Sequence, residues 1–72
     1  MKLSFELTKD CTLEIFFDVE GRDMLIRSLQ KLKQAGDHDH LMTPAWGSHE
    51  LSESPHEDNR LIHMVTLGIP RE

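Results

Sequence analysis

Apolar and polar positions alternate at both ends of the chain and recur with a longer period in between. Over residues 2–8, Leu3, Phe5 and Leu7 fall on one side and Ser4, Glu6 and Thr8 on the other. A period of two predicts a half-buried β-strand. Lys9, Asp10 and Cys11 interrupt it with a polar break of hairpin length. Residues 12–19 resume the alternation, so Leu13, Ile15, Phe17 and Val19 are expected inward. Phe16 then stands alone on the outer face, to be covered by a loop or a partner.

Past Gly21 the period lengthens. Leu25, Leu29, Leu32 and Gly36 are spaced by four, three and four, the stripe of an α-helix. Asp18 or Glu20 near its start and Lys31 and Lys33 near its end suit the helix dipole, and Gly36 is a good terminator. Residues 37–43 are ambiguous; as a strand they put His38, His40 and Met42 on one face and Asp39 and Leu41 on the other. Residues 44–48 form a turn carrying the only tryptophan, Trp46, and residues 49–60 read as polar loop with a short extended edge at 50–52. Residues 61–69 alternate again with both faces rather apolar, as in a central strand, and Pro70 ends them. The order β-β-α-β-β predicts an α+β two-layer sandwich, one helix packed on a mainly antiparallel four-stranded sheet. Strand orders 2-1-3-4 and 2-1-4-3 both satisfy it.

At 72 residues and 8.3 kDa, the chain is expected to form one small domain over residues 1–72. No apolar run approaches the roughly 18 residues of a membrane span. The alternating N-terminus lacks the apolar core of a signal peptide, so a cytoplasmic protein is expected. The single cysteine excludes an internal disulfide framework and a cysteine-rich zinc module.

Charge changes the picture more. Residues 1–34 hold six basic and six acidic side chains, whereas residues 35–72 hold two basic against seven acidic, so the whole net charge of −5 lies in the second half. That imbalance disfavours a nucleic-acid partner and favours a protein with a basic surface. A surface that merely keeps a small protein soluble would look the same.

Candidate chemistry is sparse. His38 and His40, at i and i+2 beside Asp37 and Asp39, could hold a metal in a small metal-binding protein or metal-dependent enzyme, with His49, His56 or His63 as a third ligand. Local hydrogen bonding beside acidic neighbours explains the pair equally. Cys11 has only Lys9 nearby to activate it. Glu57 and Asp58 are adjacent, and adjacent loop carboxylates point apart. No catalytic set, metal or cofactor is implied. Trp46 fits either a structural anchor at one end of the sandwich or an exposed interface residue ringed by Glu50, Glu53 and Asp39.

The segment running from the histidine pair through Leu41, Met42 and Thr43 to Trp46-Gly47 and Glu50-Leu51-Ser52 resembles the immunity protein 32 family of bacterial polymorphic toxin systems. A second glycine common after the tryptophan-glycine pair is replaced here by Ser48. The resemblance implies a small cytoplasmic α+β protein that binds and neutralises a cognate toxin without catalysis; a monomer or weak homodimer with no membrane association is expected. The expected partner-binding residues are Asp37, Asp39, His40, Trp46, Glu50, Glu53, Glu57 and Asp58. A generic interaction subunit without toxin specificity is the remaining alternative.

Overall fold

The computed structural model describes residues 1–71. β1 (Leu3–Leu7) and β2 (Leu13–Phe17) pair antiparallel, with Leu3 opposite Phe17, Phe5 opposite Ile15 and Leu7 opposite Leu13. The hairpin closes through Thr8 N–H to Thr12 O at 3.0 Å, with Cys11 in the left-handed region at φ 66°. Asp18 then joins three elements. It is the N-cap of α1 (Val19–Gln30), and its carboxylate accepts the Gly21 amide at 2.8 Å and the Lys2 amide at 2.9 Å. These two donors, Gly21 first, hold Asp18 below the ordinary carboxylate range.

The helix is shorter than its leucine stripe predicts. Lys31 is the C-cap, and the next turn is organised by the Asp37 carboxylate, which accepts the Lys33 amide at 2.9 Å and the Gln34 amide at 3.2 Å. Gly36 therefore lies in that turn and does not terminate the helix. The buried helix positions are Gly21 and Ser28, with Met24 and Leu25 packed on the core, while Ile26 and Leu29 are exposed. Gly21 faces inward because the helix N-terminus sits against the chain entering β1: a Cβ there would lie 1.7 Å from the Lys2 carbonyl oxygen.

The expected four-stranded sheet is two sheets. One has the order β2-β1-β4, and the other is a pair of β3 and β5. β3 is His38–Met42, β4 is Arg60–Leu61, β5 is Met64–Gly68, and a 3-10 turn, Pro44–Trp46, follows β3. The split arises where the strand expected across 61–69 bends at residues 62 and 63. Arg60 and Leu61 pair with Leu7 and Glu6, and the Ile62 amide donates to Phe5 O at 2.9 Å. The chain then crosses over: His63 O accepts from Thr43, and β5 pairs antiparallel with β3 from Met64–Met42 to Gly68–His38. β5 is thus one strand of a pair, where its two-sided apolar pattern predicts a central position.

Residues 51 and 52 bridge the same gap. The Leu51 amide donates to Met42 O at 3.1 Å, and the Ser52 amide donates to Leu3 O at 2.7 Å. Leu51 joins Leu3, Phe5 and Leu41 as the buried core, with Ile62, Val65 and Leu67 packed around it. β2 lies outside that centre. Leu13, Ile15 and Phe17 share the core-facing side of the hairpin, yet all three are exposed, as is Val19, against the inward placement their alternation predicts. Phe16, on the opposite face, is covered by the His56 ring at 4.9 Å between centroids.

Gly21→Ala separates propensity from packing. In an open helix the change stabilises by up to about 1 kcal/mol. Here the methyl meets backbone, so a net loss of about 2–3 kcal/mol is expected in denaturant unfolding. A stabilised variant would show that the helix N-terminus does not press on β1.

Candidate functional site

The Trp46 turn is built by hydrogen bonds from both directions. Thr43, fully buried, accepts the Trp46 and Ser48 amides on its carbonyl, and its hydroxyl lies 2.7 Å from His63 Nδ1. Gly47 closes the turn at φ 105°, a left-handed conformation that glycine adopts without strain. Two carboxylates reach back into the turn. Glu50 accepts the Met42 amide at 3.0 Å and the Ser48 hydroxyl, and Glu53 accepts the Ala45 amide at 3.2 Å. The Ser48 hydroxyl and then the Met42 amide outweigh partial burial and hold Glu50 below its usual range.

Trp46 itself points outward. Its side of the turn leaves it 58% exposed, stacked on the His63 ring at 6.1 Å with the planes 2° apart. It does not anchor the core; Leu51, five residues on, takes that place.

The other predicted residues fall into two open clefts. Asp39, His40, Leu41 and Glu50 face Met24, Arg27, Ser28 and Lys31 of α1. The basic helix face therefore opposes Asp39 of β3 and Glu50 across an open cleft, which brings charges separated along the sequence to one place. Asp37 sits beside this cleft with His38 and Lys31, occupied by the turn after the helix. Glu57 and Asp58 lie elsewhere, in a cleft with Asn59 and the hairpin residues Thr8, Lys9, Asp10 and Glu14. Four carboxylates share that cleft with one lysine. Asp10 and Glu14 belong to the half of the sequence with no net charge, so bookkeeping by halves misses their contribution.

Beneath this acidic end is a group the sequence analysis passed over. Glu6 is 0% exposed and is satisfied by the Ser4 hydroxyl, the His56 amide at 2.8 Å and Asn59 Nδ2 at 3.1 Å; Asn59 also reaches Glu14 at 2.8 Å. Burial alone would raise its pKa, but these donors, Ser4 foremost, bring it below the ordinary value. The alternation placed Glu6 on the outer face of β1, and only the 52–59 loop, which passes over that face, explains its burial.

The histidine pair makes local contacts. The His38 and His40 rings meet edge-on at 5.3 Å, with His38 Nδ1 3.2 Å from Gly36 O and His40 Nδ1 3.0 Å from Thr66 Oγ1. Among the described residues no three His, Cys, Asp or Glu side chains converge as metal ligands. Cys11 is free and exposed at the hairpin tip.

One helix on two antiparallel sheets, with charged open clefts and an exposed tryptophan, defines a small α+β protein whose polar groups chiefly shape its loops. The chain belongs to the immunity protein 32 family, whose model matches residues 12–64. The matched span takes in β2, α1, β3, the Trp46 turn and β4. Searches of curated proteins and of solved structures returned no match.

Two outcomes follow from this geometry. Trp46→Ala is expected to change stability by about 1 kcal/mol or less, because the ring is largely outside the core. Glu6→Gln is expected to cost about 1–3 kcal/mol near neutral pH, since it breaks up a buried set of donors. Because the folded Glu6 pKa lies below its ordinary value of 4.5, its contribution is complete above that value and is lost as pH falls through the depressed one. Thermal melts across that range should show a shallower acid decline in Glu6→Gln than in the parent. Equal slopes would assign the acid lability to other carboxylates.

Proposed function

We propose that the chain is a non-enzymatic immunity protein that binds and neutralises a cognate bacterial toxin in the cytoplasm. The family match over residues 12–64 carries this reading. The partner is a protein with a basic surface, and the interface pairs an apolar centre with a charged rim. Trp46 supplies the centre, because it is the largest side chain left in water beside a tightly hydrogen-bonded turn. Glu53, Glu57 and Asp58 supply rim charge, reinforced by Asp10 and Glu14. Asp37, Asp39, His40 and Glu50 extend the surface toward α1, where Arg27 and Lys31 temper their charge. No cofactor enters this scheme, and the net charge of −5 disfavours phosphate backbones as the target.

Co-expression with the toxin encoded by the neighbouring gene tests the proposal. The chain should protect growth and co-purify with the toxin. Exposed rim charges act on encounter, so reversing Glu57 and Asp58 to lysine should slow association about tenfold with little change in dissociation, and raised salt should mimic it. Trp46→Ala should instead accelerate dissociation. Failure to bind the toxin overturns the function; association that ignores both salt and the reversals overturns the acidic surface.

A further inference from the structure

The side of the molecule away from the Trp46 turn presents an unprotected sheet edge under an apolar shelf. β2 is the outer strand of its sheet. The Asp18 amide donates to Lys2 O and the Thr8 amide to Thr12 O, so the even-numbered residues of β2 point their backbone groups at β1. The amides and carbonyls of Leu13, Ile15 and Phe17 therefore face outward. Edge strands are usually blunted by lysine, proline or a bulge. Residues 13–17 carry none of these, and their one charge, Glu14, lies on the opposite face, held by Asn59.

The apolar side chains continue onto the helix. Arg27 and Lys31 flank the cleft toward β3, so the opposite flank of α1, with Leu29, lies on the β2 side, and Val19 opens the helix beside Phe17. Phe17, Val19 and Arg22 line one surface hollow there. Phe17 is 50% exposed and Val19 65%. With Leu13, Ile15 and Leu29 they leave an apolar area on the order of 400 Å² in water, a patch of the size that is often functional.

We propose that this face is the interface of a homodimer, formed by antiparallel pairing of β2 with β2 of a second copy about a two-fold axis at Ile15. The pattern is self-complementary. Leu13 comes opposite Phe17 of the second copy and Ile15 opposite Ile15, all on the helix side, while Glu14 meets Phe16 and faces no like charge. The outward backbone groups of the odd residues then form about six ladder bonds. The two-fold axis sets the two α1 helices antiparallel, with Leu29 of each on the seam side and Arg27 and Lys31 on the far side. Two copies bring together up to about 800 Å² of apolar surface before the polar rim is counted, which places the contact among weak, reversible interfaces. Trp46, Glu57 and Asp58 stay outside the seam, and Glu14 borders it.

Sedimentation velocity with backbone hydrogen exchange tests the dimer. The mass should rise from 8.3 kDa to twice that value over concentrations of roughly 1–500 µM, and the amides of Leu13, Ile15 and Phe17 should gain protection over the same range. Ile15→Pro removes an outward amide without touching the β1 ladder, and Leu29→Glu puts charge on the shelf; each should weaken association at least about tenfold. Leu29 lies outside the core, so that variant keeps the test available should the proline variant not fold. A mass of 8.3 kDa throughout overturns the proposal. So does a dimer that Leu29→Glu leaves intact with those amides unprotected, or a monomer whose toxin binding is abolished by Leu29→Glu.

Discussion

Two consecutive amides hold this fold together. Leu51 donates to the end of β3 and Ser52 to the start of β1, so a segment with no strand of its own closes the gap between two sheets. Between those donors the Leu51 side chain enters the core that both sheets share. Remove this stitch, and β3 with β5 would depend on the bend at residues 62 and 63 alone. The polar loop after Trp46 is therefore structural at its beginning, and its charged remainder is free to face outward.

The same economy governs the carboxylates. Asp18 caps the helix, Asp37 organises the turn after it, Glu50 and Glu53 hold the Trp46 turn, and Glu6 lies sealed under the 52–59 loop. Each accepts backbone amides that would otherwise lack partners, and the structure leaves no buried side-chain polar atom unpaired among the described residues. Acid beyond this internal use collects at the hairpin end, where Asp10 and Glu14 meet Glu57 and Asp58. A net negative charge in this molecule is thus partly architecture and partly surface.

The hairpin and the helix were legible because each rests on a local period, whereas β3 was ambiguous because His38–Met42 is short and mixes polar with apolar residues. Residues 61–69 were misread as one central strand because alternation reports which side chains are apolar and says nothing about where a strand changes partners. The inward placement of Leu13, Ile15 and Phe17 failed for a related reason: they do lie on the core-facing side, but the helix is too narrow to cover β2. Gly21, against the chain entering β1, and Ser28, on the side of β3, face inward rather than Leu29, and a search for leucines overlooks such small residues. The Trp46 segment was recognisable as a motif, while its exposure depended on Glu50 and Glu53 folding back over eight residues of separation.

The crossing of residues 60–68 between the sheets also orders events in time. The β1–β2 hairpin and α1 are built from neighbours in sequence and can form as soon as they leave the ribosome. β1 lacks its other flank, and β3 lacks any ladder partner, until this late segment arrives. Both sheets then close in one step, across a loop whose ends are far apart along the chain. Until then the core side of the hairpin is open to water, and no surface built on the second sheet exists before residues 60–68 have been made.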